Sequence, residues 1–402
     1  MRVLDFLESN MLLPEQIPAD ECVSALTAQM DDGLRGEGNI PMLPSYLSAN
    51  ITPPKNESCC VLDAGGTNIR SARAVFDECG KCTVENIIKL PMPGTQEEIG
   101  AADFFRSVAA LVDHSRPKKR VGLCFSYNVM LDRTLDGVLN AWCKEVKAPE
   151  VIGFPIGECL KAACGDECER VHILNDSVAA MLGASAENDV SVGLILGTGI
   201  NVCYEEKCSR IPKVPADLRS ESMIISTEVG EFDGIPKSPF DLALFAATED
   251  PDLAHAEKQC AGGYLGELIC LVWREAAKLG LLESEFSSIS VPLHEISAML
   301  SGADTSIPES RNASFIAEIL IQRAAKIAAI LCAAPILRCT QRGEKAKIAV
   351  EGSHFYKLSN FSMCFRFELE EILRPYDITF EFVSASNACL KGAALAAFSD
   401  IM

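Results

Sequence analysis

Apolar positions along this chain group in two rhythms. Short continuous runs of strand length alternate with longer stretches of helical spacing, and glycine, proline and acidic residues separate them. Residues 20–35 read as an amphipathic helix. Residues 40–56, "IPMLPSYLSANITPPKN", are proline-rich, lack a helical period and read as an extended connector. A strand over 58–64, a glycine turn and a strand over 69–77 follow; "DECGKC" is a second turn and 82–90 a third strand. Residues 97–113 read as a helix, "KKRVGLCFSY" as a fourth strand and 155–164 as a helix. "RVHILND" is a fifth strand that runs into a helix over 177–184.

The pattern then restarts. "VSVGLILGTGINVCYEE" (190–206) is again apolar strand, glycine–threonine turn and strand. By eye, Asp63-Ala-Gly-Gly-Thr-Asn68 sits over Leu196-Gly-Thr-Gly-Ile-Asn201, and two such hairpins suggest two related halves. Residues 207–222 read as a loop; 262–280 and 312–334 read as helices, with a polar loop near "SGADTSIPES" between them. "AKIAVEGSHFY" is a strand ending in Gly-Ser, and "NFSMCFRFELEEILR" a helix opened by Asn360 or Ser362. "ITFEFVSAS" is a strand and "CLKGAALAAFS" a closing helix.

Composition narrows the picture. With 402 residues, 48% of them hydrophobic, the chain can bury a large core, and alternating strands and helices indicate an α/β fold of two domains. Apolar runs such as 327–337 are shorter than a bilayer span, and the N-terminus carries acids and a proline where a signal peptide needs an apolar core, so a soluble cytoplasmic protein is expected. The formal charge of −20 argues against nucleic acid or an anionic membrane as partner. Any phosphate-bearing ligand must be held by backbone dipoles, a few cations or a metal. The 18 cysteines, many in apolar segments, read as reduced, buried thiols. Cys79 and Cys82 with Cys164 and Cys168 carry enough thiolates for zinc; cysteines that happen to lie in turns are the plainer reading.

The candidate chemistry begins at the glycine hairpins. Glycine lets backbone N–H groups converge on an anion, and threonine adds a hydroxyl donor. One Gly-Gly-Thr is also an ordinary hairpin loop; two, with Asp63 ending the first strand, point to facing hairpins that grip a nucleotide's phosphates. Neither has the Walker spacing, and neither opens directly into a helix as a Rossmann turn does. Asp63 would then organise Mg²⁺, directly or through water. In "HILND", Asn175-Asp176 reads either as a helix N-cap or as a site in which Asp176 is the base that takes a hydroxyl proton.

These segments resemble the hexokinase family, sugar kinases of the actin/Hsp70 superfamily. "MLPSY" (42–46) is similar to the family's connector and "LDAGGTNIR" (62–70) to its first phosphate loop. "CFSYNVMLDRTLDGVLNAWCKEVKAPEVIG" (124–153) resembles the sugar segment, "ILNDSVAAML" (173–182) the base motif and "GLILGTGINVCYEE" (193–206) the second phosphate loop. "ISTEVGEF" (225–232) and "AEKQCAGGYLGELI" (256–269) resemble two glutamate-bearing sugar motifs, and "VEGSHFYK" (350–357) the adenosine loop. They fall in family order from about residue 42 to the C-terminus.

The resemblance implies two ribonuclease H-like (actin-like ATPase) domains around an interdomain cleft. The smaller would take 57–176 plus 389–402 and the larger 1–56 plus 177–388, with crossings near Pro53-Pro54, Asp176 and Ala388 as the hinge. It implies Ser126, Lys144, Asn175, Asp176, Asn201, Glu228 and Glu257 as sugar contacts, a set of acceptors and amides that suits the hydroxyls of a hexose. It implies Asp176 as the base at the 6-hydroxyl, with Lys144 and Arg70 as cationic helpers. ATP would be held by Asp63, Gly65, Gly66, Thr67, Asn68, Gly197, Thr198 and Gly199, with Gly352 and Ser353 flanking the nucleoside, and Mg²⁺ at Asp63. Taken singly, Glu228 and Glu257 read as surface acids, Lys144 as a solvated lysine and Trp142 as core.

Several positions depart from the family pattern. Cys143 replaces a threonine, Tyr127 stands where a phenylalanine–proline pair begins so that Asn128 replaces the proline, Val229 replaces a tryptophan, Glu231 replaces a small residue, and "SASNACLKG" replaces a serine/glycine-rich stretch. With a small-domain sheet in the family's order, the two cysteine pairs lie on opposite edges, too far apart to share one zinc ion. The expected activity is ATP-dependent phosphorylation of a hexose, most simply glucose. The alternatives are a sugar sensor with little turnover, or a kinase using another phosphoryl donor. The sequence assigns no oligomeric state.

Overall fold

The computed structural model describes residues 2–117, 119–142, 146–185 and 188–400. Among the described residues, eleven strands form the two main sheets. The first contains β1 (Ser58–Gly65), β2 (Asn68–Phe76), β3 (Cys82–Pro91), β4 (Arg120–Phe125) and β5 (Arg170–Leu174) in the order β3-β2-β1-β4-β5. The second contains β6 (Val192–Leu196), β7 (Ile200–Lys207), β8 (Ser222–Ser226), β9 (Lys345–Glu351) and β10 (Thr379–Val383) in the order β8-β7-β6-β9-β10, with the short strand Leu43–Pro44 added beside β8. In each sheet the first three strands are antiparallel and the last two join in parallel. The internal repeat read from the glycine hairpins is therefore a repeat of topology. The residue-by-residue match over the turns does not carry over to register: the first hairpin closes on the pair Gly65–Asn68 and the second on Leu196–Ile200, one turn residue longer.

The hydrophobic patterns follow from this placement. In β1, Cys59 and Val61 face one core while Cys60, Leu62 and Ala64 face another. A strand covered on both sides reads as a near-continuous apolar run, here Cys59–Leu62, broken at the buried Asp63. Edge strand β3 is exposed over most of its length and is correspondingly mixed in sequence. Helix α1 (Asp176–Ser185) and the C-terminal helix α2 (Ala388–Phe398) pack in the core that joins residues of both sheets, including Cys124 and Val61 from the first and Cys203 and Ala349 from the second. Their crossing is tight enough that a Cβ on Gly392 would lie 1.9 Å from the Ala179 carbonyl oxygen. No side chain fits there.

The N-terminal helix Ala19–Arg35 packs in the core of the second sheet, and the connector follows it there. Ser45 N–H donates to Ile224 O, and Ile224 N–H to Leu47 O. The apolar run 327–337 lies inside a helix, Arg311–Cys339, which at 29 residues is long enough to cross a bilayer. The expectation that this run is too short is thus corrected. The helix is a core element, with 83% of its apolar window buried. The strand order puts Cys82 at the start of one edge strand and Cys164 and Cys168 just before the other.

Candidate active site

β5 carries a buried run, Val171–Leu174, apolar except for His172, and breaks into helix α1 at Asn175-Asp176. The capping reading of that pair falls to Asn175. Asn175 Oδ1 accepts from Ser177 N–H (2.8 Å) and Ser177 Oγ (2.7 Å), which is the capping role. Asp176 is the first helical residue, and its Oδ1 accepts from Ser177 N–H at 2.9 Å. Its carboxylate thus sits at the positive end of the helix dipole.

Facing this end is a hydrogen-bonded group from β7 and β8. Asn201 Nδ2 donates to Glu228 Oε1 (2.7 Å) and Ser226 Oγ (2.9 Å), and approaches Asn175 Oδ1 at 3.5 Å. Ser226 Oγ donates to the same Glu228 oxygen at 2.8 Å. Glu228 N–H donates in turn to Asn201 Oδ1, which takes Glu228 into the left-handed region (φ +59°) and turns its side chain back onto Asn201. Glu228 Oε2 accepts no hydrogen bond from the described residues, so one carboxylate oxygen is anchored and the other is available to a ligand. Loss of water around Glu228 pushes its pKa up to about 6; the Asp176 charge adds to the rise, and the bonds from Ser226 and Asn201 oppose it. Ser226 and Ser177 were not among the expected site residues. The signal was present in "ISTEVGEF", where Ser226 lies two residues before the glutamate.

The first glycine hairpin ends β1. Gly66, at φ +82°, takes the first central position of a two-residue turn, where glycine is favoured. Gly65 and Thr67 are exposed at its tip, and Asn68 Nδ2 reaches Thr67 Oγ1 at 3.0 Å. Asp63 is buried and accepts from both Nε (2.8 Å) and Nη2 of Arg70, its cross-strand partner. Arg70 therefore orients the acid expected at the metal. Ser126 Oγ lies beside this loop, 4.0 Å from where a Cβ on Gly65 would stand.

The second hairpin is bolted to helix Gly262–Lys278: Gly262 N–H donates to Gly197 O and Gly263 N–H to Thr198 O, both at 2.9 Å. Thr198 is exposed at the tip. Glu257 accepts from Ile200 N–H at 3.0 Å and packs against Gly199 and Gly230, so it braces this loop and borders the Glu228 segment. Glu231 accepts from Ala254 N–H at 2.8 Å, at the start of the short helix His255–Cys260 that carries Glu257. That bond gives the departure at Glu231 a structural role. Val229 is fully buried where the family pattern has tryptophan.

Gly352, at φ +124°, lies directly on the second hairpin: a Cβ there would be 2.1 Å from Leu196 O and 2.9 Å from Gly197 N. Ser353 follows it, exposed. Glu351, just before, has its pKa raised by burial, with Arg70 opposing and Asp63 adding to the shift. The Glu351 carboxyl thus feels both charged groups of the first hairpin while its neighbour Gly352 packs on the second. Lys144 and Cys143, expected in the sugar segment, lie outside the described residues.

Comparison with known proteins identifies the family. Family models described as hexokinase match residues 4–186 and 191–399. Hexokinase-1 of Schizosaccharomyces pombe is 29% identical over 75% of this chain and 66% of its own length. Hexokinase-2 of Solanum tuberosum is 29% identical over 94% of this chain and 87% of its own. A solved hexokinase from Schistosoma mansoni, complexed with glucose, shares the fold with a TM-score of 0.83 at 20% identity over 99% of both chains. Its likeness, together with the duplicated sheet order, fits the two-domain actin-like fold. The chain belongs to the hexokinase family of ATP-dependent sugar kinases.

Proposed function

We propose that this chain phosphorylates D-glucose at its 6-hydroxyl, in the cytoplasm and at the entry to glycolysis, with Asp176 as the base. The observation that carries the reading is the convergence of Asn175, Asn201 and Glu228 in one hydrogen-bonded group beside the Asp176 carboxylate. Amides that donate and accept, next to a carboxylate with an open oxygen, match the paired demands of sugar hydroxyls. Ser126 would complete the sugar side, and Glu257 would touch the sugar while holding Gly199 and Ile200. The described cysteines are free thiols, as suits a reducing compartment.

In this reading the sugar hydroxyl approaches the γ-phosphoryl group while Asp176 accepts its proton late in a loose transition state. Alignment and charge neutralisation supply most of the acceleration. The N–H groups of Gly66, Thr67, Thr198 and Gly199 would donate to phosphate oxygens, with Arg70 and Lys144 as cations; Gly65, Asn68 and Gly197 would shape the loops, the Gly197 N–H already donating to Gly199 O at 3.0 Å. One or two carboxylates plus phosphate oxygens suit Mg²⁺, and Asp63, with Glu351 near it, fits that donor set. The ion would be held at Asp63 through water and would neutralise phosphate charge. We also read the chain as two lobes, 57–176 with 389–402 against 1–56 with 177–388. Sheet membership supports this division, and closure about Pro53-Pro54, Asp176 and Ala388 would exclude water.

A coupled assay with a panel of hexoses and phosphate donors tests the proposal. Product with glucose and ATP is expected; product with another hexose or another donor alone overturns that part of it. Sugar-dependent thermal stabilisation without product points instead to a sensor.

The Glu228 environment adds a pH prediction. Sugar hydroxyls need an ionised acceptor, so KM for the hexose is expected to fall as pH rises through about 6, and Glu228→Gln to flatten that dependence. The same group binds its proton more tightly folded than unfolded. Its contribution to stability is thus fully present below the ordinary 4.5 and lost as pH rises through about 6. A hexose KM that is flat from pH 5 to 8 in the wild type would remove Glu228 from the sugar site.

A further inference from the structure

We infer that Tyr127, braced by Trp142, is a positioning residue for the nucleotide's phosphates. This rests on reading the Gly65–Asn68 turn as a phosphate loop. Tyr127 is buried, and its hydroxyl donates to Gly66 O at 2.6 Å. The peptide plane makes this bond consequential. In a trans peptide the carbonyl and the following N–H point in opposite directions. Drawing the Gly66 carbonyl inward onto Tyr127 therefore turns the Thr67 N–H outward, at the exposed tip of the loop. That N–H has no backbone acceptor among the described residues. The carbonyl, which would repel a phosphate, is satisfied on the protein side, and the donor is left to face the ligand.

The ring that delivers the hydroxyl is held from two sides. Phe125 lies 4.8 Å away, centroid to centroid, and Trp142 meets it edge-on at 4.9 Å and 87°. Trp142 is itself pinned, its Nε1–H donating to Ala148 O at 2.8 Å and its ring lying 5.5 Å from Phe104. The loop tip is thus backed by a rigid aromatic stack on the far side from the ligand. This stack gives Tyr127 and Trp142, one a departure and the other an ordinary core residue by sequence, a shared task.

Tyr127→Phe keeps the ring and removes the hydroxyl, so it separates packing from positioning. The KM for ATP is expected to rise about fivefold, the loss of one hydrogen bond's worth of orientation. The hexose KM stays within about twofold, as expected of an interaction the sugar does not share. Titration with a non-hydrolysable ATP analogue and with adenosine gives a second readout. The triphosphate's affinity should fall by the same factor and adenosine's should not change. Trp142→Phe should shift ATP in the same direction, and add little when Tyr127→Phe is already present. An unchanged ATP KM in Tyr127→Phe, an equal rise in hexose KM, or an equal loss of adenosine affinity overturns the inference. A wild-type chain that binds the triphosphate without turning over a hexose overturns the proposed function instead. The triphosphate titration then decides on Tyr127 alone. A wild-type chain that does not bind the triphosphate overturns both.

Discussion

Asp176→Ala is expected to lower kcat by about two to four orders of magnitude, the usual worth of a positioned general base, with hexose affinity changed only a few-fold. The fold should survive because Asn175, not Asp176, caps the helix: its Oδ1 holds Ser177 N–H and Ser177 Oγ. Sugar binding should survive because Asn201, Ser226 and Glu228 hold one another without Asp176. Glucose should therefore still raise the thermal midpoint of the variant by mass action. One further effect separates the loss of a base from general damage. The Asp176 charge is one cause of the raised Glu228 pKa, so the variant should show its pH dependence of hexose binding displaced to lower pH. Retention of more than about a tenth of wild-type kcat would remove Asp176 from the role of base.

Gly352→Ala is expected to raise the KM for ATP by about thirtyfold, the equivalent of roughly 2 kcal/mol of backbone strain and displacement. Two effects coincide at this residue. Its φ of +124° is one that side chains rarely adopt, and its Cβ would stand 2.1 Å from a backbone oxygen of the second hairpin. Relief requires the Gly352 turn and the second glycine hairpin to part, so under the proposed assignment of both to ATP, nucleotide binding registers the change while hexose binding does not. Gly343→Ala is the control. Gly343 also has a positive φ (+83°), but nothing lies within 4 Å of its added Cβ. It should lose a little stability and leave the ATP KM where it was. Equal effects from both substitutions would mean that Gly352 matters for its backbone conformation and not for its contact with Leu196 and Gly197.

Much of the architecture was legible in advance because its causes are local. A strand covered on both faces is apolar over most of its length, so β1, β4, β5 and β6 announce themselves as short, largely apolar runs. A tight hairpin needs glycine at the turn, so both loops stand out by composition. Asn175 and Asp176 were recognisable as a strand-to-helix boundary, although the division of labour between cap and carboxylate was not. Glu257 shows where local reading stops. Its motif resembles a sugar contact, yet it also accepts from Ile200 N–H, 57 residues away, at the second glycine hairpin.

The amino-acid sequence by itself determined most of the strands and helices of the two sheets, though not the strand Ser222–Ser226, and with them the duplicated hairpins and the family to which they belong, because periodicity, turn chemistry and motif order are properties of neighbouring residues. Tertiary structure alone decided which groups meet. Tyr127 reaches Gly66 across 61 positions and Asn201 reaches Glu228 across 27. The helix Arg311–Cys339, long and apolar enough for a bilayer, is placed in a protein core instead. These pairings depend on strand register and on how layers pack, and a hydrogen bond between distant residues leaves no periodic trace in the chain that makes it.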